Sequence, residues 1–194
     1  MGITSPDANV ALADPVAEGR RVVEAGRARD VVLRLLGGVA VCLQSPGAKP
    51  LLGRPINDID LVTPKGSKRA VAELFQSVGY VEDEVFNAFH GAHRQIYVDL
   101  GNRRKVDVFV GAFSMCHEIP IAERLDRDPL TVPLAELLLT KLQIVELNER
   151  DERDIYNLCF HHDISVAGAP GIEADRIAGL CARDWGLWRT CQGT

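Results

Sequence analysis

The chain has 194 residues, enough for one domain with a sizeable core and a small helical appendage. Its formal net charge of −5 argues against broad binding to a nucleic-acid backbone, and its five cysteines, with no CxxC pair, read as reduced thiols. The most apolar run, VVLRLLGGVAVCL, is short and interrupted by Arg34, and the N-terminus lacks the charged and apolar regions of a signal peptide, so the expectation is a cytoplasmic protein with no membrane partner.

Residues 1–15 are small, polar and proline-containing and read as a loose lead-in. AEGRRVVEAGRARD, residues 17–30, has helical character. VVLRLL (31–36) reads as a buried strand, because branched residues dominate it and Gly37 and Gly38 stop it; GGVAVCLQ then turns directly into a helix. SPGAKPLLGRP (45–55) is a loop by its glycine and proline content. INDIDLV (56–62) is a strand stopped by Pro64, and SKRAVAELFQSVGY (67–80) is an amphipathic helix that Ser67 caps and Gly79 ends.

Three strand-like pieces follow: YVEDEVF (80–86), RQIYVDLG (94–101) and KVDVFVG (105–111), the last two joined as a hairpin whose turn begins near Gly101. From Pro133 the pattern becomes helical, in LAELLLTKLQIVEL (134–147), ERDERDIYNLCFHH (149–162) and a terminal helix GIEADRIAGLCARDWGLWRTC (171–191), which Trp185 and Trp188 pack onto the body. The sum is an α/β core over 16–115 followed by a mainly helical part over 116–194.

Three features converge on one chemistry. A strand places Asp58 and Asp60 on the same face, with Ile59 and Leu61 pointing into the core. Asp107 alternates with Val106 and Val108 in another strand and faces away from both. Three carboxylates from two adjacent strands can hold hard divalent cations, most naturally Mg²⁺, and a two-ion arrangement stabilises both the attacking and the leaving oxygen of a phosphoryl displacement. Gly37 and Gly38, where a strand enters a helix, let a phosphate approach the backbone.

The order strand, GG, helix, then DID on a strand and VDVF on a later strand resembles the DNA polymerase β-like nucleotidyltransferase superfamily over roughly residues 31–111. The resemblance implies the nucleotidyltransferase fold, a mixed β-sheet flanked by helices. It also implies an NTP substrate, with Mg²⁺ or Mn²⁺ held as two ions by Asp58, Asp60 and Asp107, the last able to activate the attacking hydroxyl. Gly37 and Gly38 would contact the nucleotide phosphates. LLLTKLQIVELNERDERDIYNL further resembles the abortive-infection toxin-like (AbiEii-type) nucleotidyltransferases, which carry a Lys in one helix and RDxxD at the start of the next. This implies Lys141 near the phosphates, a site role for Asp154 ahead of Asp151, and a cognate antitoxin as partner. The acceptor stays open among tRNA, protein and small molecule, so an antibiotic adenylyltransferase and a non-catalytic nucleotide-binding module are the competing readings.

The sequence also departs from the pattern. Asp58 lies twenty positions after Gly38, so the 45–55 loop is either an insertion or a lid, and Arg54 within it can reach the triphosphate. Val39 stands where many relatives have Ser. His90, His93 and Arg94, between two expected strands, are further candidates for substrate contact. Cys116, His117, Cys159, His161 and His162 lack the spacing of a zinc site.

Overall fold

Asp14 opens the first regular element. Its carboxylate accepts the Ala17 amide hydrogen at 2.7 Å, and Pro15 takes the first helical position, where an N–H has no partner in any case; α1 therefore runs over Pro15–Arg27. A computed structural model describes residues 10–194, so most of the expected lead-in, residues 1–9, lies outside the described residues.

After α1 the expected strand shortens to β1, Arg34–Leu36. The Val31 amide bonds Gly26 O as the chain leaves α1, and Val32 O accepts the Thr63 hydroxyl, so neither joins the ladder. Helix α2 (Gly37–Gln44) follows β1 without a linker, a 3-10 turn occupies Pro46–Ala48, and β2 spans Asp58–Thr63. Ser67 stands at the N-cap of α3 (Lys68–Ser77), but its hydroxyl makes no capping bond; Gly79 does leave the helix at φ 91°.

YVEDEVF is not one strand. Only β3 (Val81–Glu82) is extended; Asp83 then accepts the Phe86 amide at 3.0 Å and starts α4 (Glu84–His90). The hairpin is present as β4 (Arg94–Asp99) and β5 (Arg104–Val110), followed by the small ladder β6 (Phe113–Ser114) and β7 (Glu118–Ile119). Helix α5 (Leu134–Leu142) is shorter than its hydrophobic pattern, whereas α6 (Glu149–His161) lies where expected, its N-terminus capped by Asn148, which accepts the Arg150 amide at 2.9 Å. A two-strand ladder of β8 (Ile164–Ser165) and β9 (Ile172–Glu173) precedes α7 (Ala174–Cys181).

The expected terminal helix is two helices. Asp184 accepts the Leu187 amide at 3.0 Å and starts α8 (Trp185–Gly193) afresh. Leu187 anchors α8 in the core and Trp188, 41% exposed, lies with Leu138 and Ile172 along an apolar recess, whereas Trp185 is 74% exposed and does not take the packing role expected of it.

The main sheet is mixed, in the order β1-β2-β5-β4-β3, with only β2 and β5 parallel. On one face Ile59, Leu61, Val106, Val108 and Tyr97 are fully buried, and Phe75 of α3 stacks on Tyr97 with ring centroids 4.1 Å apart. The opposite face is free to carry polar side chains. Helices α2, α5 and α6 pack on one another, and Leu36, Gly37, Lys141 and Asp151 stand beside this polar face.

Candidate active site

The register of the parallel pair builds the site. Asp58 stands opposite Lys105 and Asp60 opposite Asp107, so four charged side chains form a two-by-two patch on neighbouring strands about 4.8 Å apart. Leu36 pairs with Asp60 on the other side, which brings the start of α2 directly against that carboxylate. These residues, with Arg94, Lys141 and Asp151, line a cleft of about 260 Å³.

Asp60 is half-buried at the centre of the patch. Burial first, then the like charges of Asp58 and Asp107, push its carboxyl up to about 7, against the opposing pull of Lys141 and Lys105. Gly37 makes this crowding possible. It adopts φ 65°, and a Cβ there would lie 2.3 Å from Asp60 Oδ2. Gly37→Ala is therefore expected to destabilise the protein by about 1–3 kcal/mol and to weaken Mn²⁺ binding by displacing Asp60. Urea unfolding and a Mn²⁺ titration measure both effects, and an unchanged affinity would remove Asp60 from the ligand set.

Asp107 is 2% exposed and has both oxygens occupied. Oδ1 accepts a hydrogen bond from Arg94 Nε at 2.8 Å and lies 2.7 Å from Nη2, while Oδ2 is ion-paired with Lys105 Nζ at 2.8 Å. The Arg94 guanidinium also lies 5.2 Å from the Phe109 ring centroid and 5.9 Å from that of Phe86.

A second charge network joins the 45–55 loop to the C-terminal helices. Arg54 Nε and Nη2 donate to Asp154 at 2.9 and 2.6 Å, and Lys141 Nζ sits 2.9 Å from both Asp151 Oδ1 and Asp154 Oδ2. Burial opposes ionisation of Asp154, but Arg54 and Lys141 outweigh it and hold the carboxyl below its ordinary value. Burial likewise opposes the charge of Lys141, and Asp154 and Asp151 raise its pKa in spite of it. The loop is pinned as well by Asn157, which exchanges hydrogen bonds with Leu52 at 2.8 and 3.0 Å, and by Arg153 on Gly53 O at 2.9 Å. It is a strap fixed to α6 rather than a free lid.

The cleft thus collects Asp58, Asp60, Asp107, Gly37 and Lys141. Gly38 lies under Arg54, whose Nη2 would stand 2.4 Å from a Cβ at that position. Asp154 faces Arg54 and Lys141, and its neighbour Asp151 is the acid that lines the cleft. Of the histidine segment, Arg94 enters the site, His93 lines an adjoining recess, and His90 ends α4 against Phe86. Sequence reasoning missed Lys105, although its position two residues before Asp107 on a strand already placed both on one face.

No family model matches the chain, and no curated protein is similar to it in sequence. Its fold does have solved counterparts. The solution structure of the antibiotic-resistance factor ANT(2'')-Ia superposes with a TM-score of 0.53 at 12% identity, over 92% of this chain and 94% of that one. This chain has the nucleotidyltransferase fold. A crystal structure of an antigenic nucleotidyltransferase-like protein from Paracoccidioides brasiliensis gives a TM-score of 0.47 at 14% identity, over 94% of each chain.

A nucleotidyltransferase fold raises the matter of a divalent ion. Asp58, Asp60 and Asp107 offer only carboxylate oxygens, the donors a hard ion takes, and they stand in adjacent register. They fit such an ion in kind, and their register sets them on one sheet face. Among the described residues, however, no three carboxylate, imidazole or thiolate groups are grouped closely enough to hold one ion as the side chains stand, and Asp107 is committed to Arg94 and Lys105.

Proposed function

We propose that the protein is a metal-dependent nucleotidyltransferase that moves an NMP from an NTP to a hydroxyl or phosphate acceptor and releases pyrophosphate. The observation that carries this reading is the juxtaposition of Asp58, Asp60 and Asp107 on one sheet face with the Gly37 turn into α2. Mg²⁺ or Mn²⁺, as two ions, supplies charge neutralisation at the attacking and leaving oxygens when bound. Asp58 and Asp60 hold the metal, and Asp107 completes the ligand set and takes the acceptor proton. The backbone at Gly37 and Gly38 and the ammonium of Lys141 orient the triphosphate. Asp154 and Arg54 act as positioning residues, through Lys141 and the strap. Kinship with the abortive-infection toxin-like enzymes, and with it a cognate antitoxin, rests on the Lys141 and RDERD pattern.

One feature bears on the acceptor. Beyond Arg94 the cleft adjoins a recess of about 340 Å³ lined by Lys65, His93 and Ser114, with Glu118 as its one acid. Such a recess favours an acceptor carrying negative charge over a polycationic aminoglycoside, although ANT(2'')-Ia is an antibiotic-resistance factor.

Metal and NTP together are expected to raise the melting temperature by about 5–10 °C at 100 times Kd, since both bind only the folded site. A thermal-shift series with each alone and with both checks this. Transfer of label from α-labelled NTPs, screened against tRNA, total protein and aminoglycosides, identifies the acceptor. Binding without transfer to any pool would favour the non-catalytic module, and no thermal shift under any condition would overturn both readings.

A further inference from the structure

Asp107 is a buried carboxylate and must be neutralised at all times, because an unpaired charge at that depth is strongly destabilising. The chain supplies its own neutralisation: two cations hold both oxygens, Arg94 through a hydrogen bond and an ion-pair contact and Lys105 through an ion-pair contact. Those cations are unequal to an ordinary structural pair in one respect, which is that both have somewhere else to go. Lys105 has a side chain 46% exposed on a flexible stem and faces Asp58 across the strands. Arg94 has a side chain 39% exposed and lines both the cleft and the adjoining recess.

We infer that Arg94 and Lys105 are resident counter-ions of Asp107 that an incoming triphosphate draws away, so that divalent metal and NTP enter the site together and only weakly apart. This rests on the nucleotidyltransferase reading. A dication arriving alone must displace two positive groups from Asp107 and leave them beside it, with Asp58 and Asp60 already taken up by the metal. A triphosphate arriving with the metal offers oxygens to both, and Arg94 and Lys105 exchange one anion for another. The two cations thereby couple the sites. By linkage, the factor by which NTP tightens metal binding is the factor by which metal tightens NTP binding.

Mn²⁺ binding followed by electron paramagnetic resonance, with and without a non-hydrolysable NTP analogue, tests this without any turnover. Circular dichroism checks that each variant is folded. In the unaltered protein the analogue is expected to tighten Mn²⁺ binding at least about tenfold, a coupling of about 1.4 kcal/mol. Lys105→Met should bind Mn²⁺ alone about tenfold more tightly, and the analogue should then add correspondingly less. Arg94→Met should shift both quantities in the same directions. The gain from Lys105→Met should vanish in an Asp107→Asn background.

Lys65→Met removes the same charge from the recess without touching Asp107, and it should give little gain. An equal gain from Lys65→Met and Lys105→Met would reduce the effect to the general field and overturn the inference. So would identical Mn²⁺ affinity and coupling in Lys105→Met and the unaltered protein. No Mn²⁺ binding in any variant, with or without analogue, would instead overturn the metal-dependent reading and the inference with it.

Discussion

Asp60→Asn is expected to lower nucleotidyl transfer by about 10³-fold or more while making the protein more stable at pH 8. The loss follows from removing a charged ligand at the centre of the carboxylate patch, which a neutral amide cannot replace. The gain in stability follows from the raised carboxyl at about 7, which reflects burial and the nearness of Asp58 and Asp107. The folded protein holds a proton on Asp60 that the unfolded chain, with a carboxyl near its ordinary value of 3.8, has released. Stability from this group is therefore full below that ordinary value, falls as pH rises from about 4 to about 7, and is flat beyond.

Asparagine has no such dependence. The variant should match the parent near pH 4 and exceed it by about 1–3 kcal/mol at pH 8, in urea unfolding with EDTA present. Because metal must displace that proton, Mn²⁺ affinity of the parent should rise nearly tenfold per pH unit below about 7 and level off above it. Asp58→Asn should also abolish transfer. Near-normal turnover in either variant would remove that residue from the metal site.

Lys141→Ala carries the largest expected loss of stability, about 3–5 kcal/mol. Its ammonium bridges Asp151 and Asp154 at 2.9 Å each, and removing it leaves Asp151 with only the Asn148 amide at 2.6 Å. Asp154 keeps Arg54, so the cost falls mainly on Asp151 and should shrink in a Lys141→Ala, Asp151→Asn double variant. In transfer assays at a temperature where the variant stays folded, NTP use should weaken by about 1.5–3 kcal/mol, the worth of a charge-assisted contact to phosphate. Loss of stability with unchanged NTP use would make Lys141 a purely structural bridge. Asp154→Ala should act by loosening Lys141 and the strap, with Mn²⁺ binding at Asp58 and Asp60 preserved.

Much of the candidate site was legible along the chain because strand periodicity is local. Alternation alone sends Asp58 and Asp60 to one face and buries Ile59 and Leu61 on the other, and a glycine pair after a strand already marks a backbone turn. Local capping residues proved harder to read. Asp83 and Asp184 each start a helix where the hydrophobic pattern suggested a strand or a longer helix, since one side-chain bond to an amide outweighs a weak propensity.

The composition and patterning of the chain by themselves determined an α/β fold with two acids on one strand and a third on another, and a helical end bearing Lys141. Only the tertiary structure decided that β2 and β5 lie parallel with Asp60 opposite Asp107, because strand order and register are set by contacts far apart in sequence. It alone brought Arg54 onto Asp154, a hundred residues away, and turned the 45–55 loop into a fixed strap. It alone gave Asp107 its two counter-ions. The charge of a side chain is written in the sequence, but its partner depends on which elements fold beside it, and a buried charge takes whichever opposite charge the packing brings within reach.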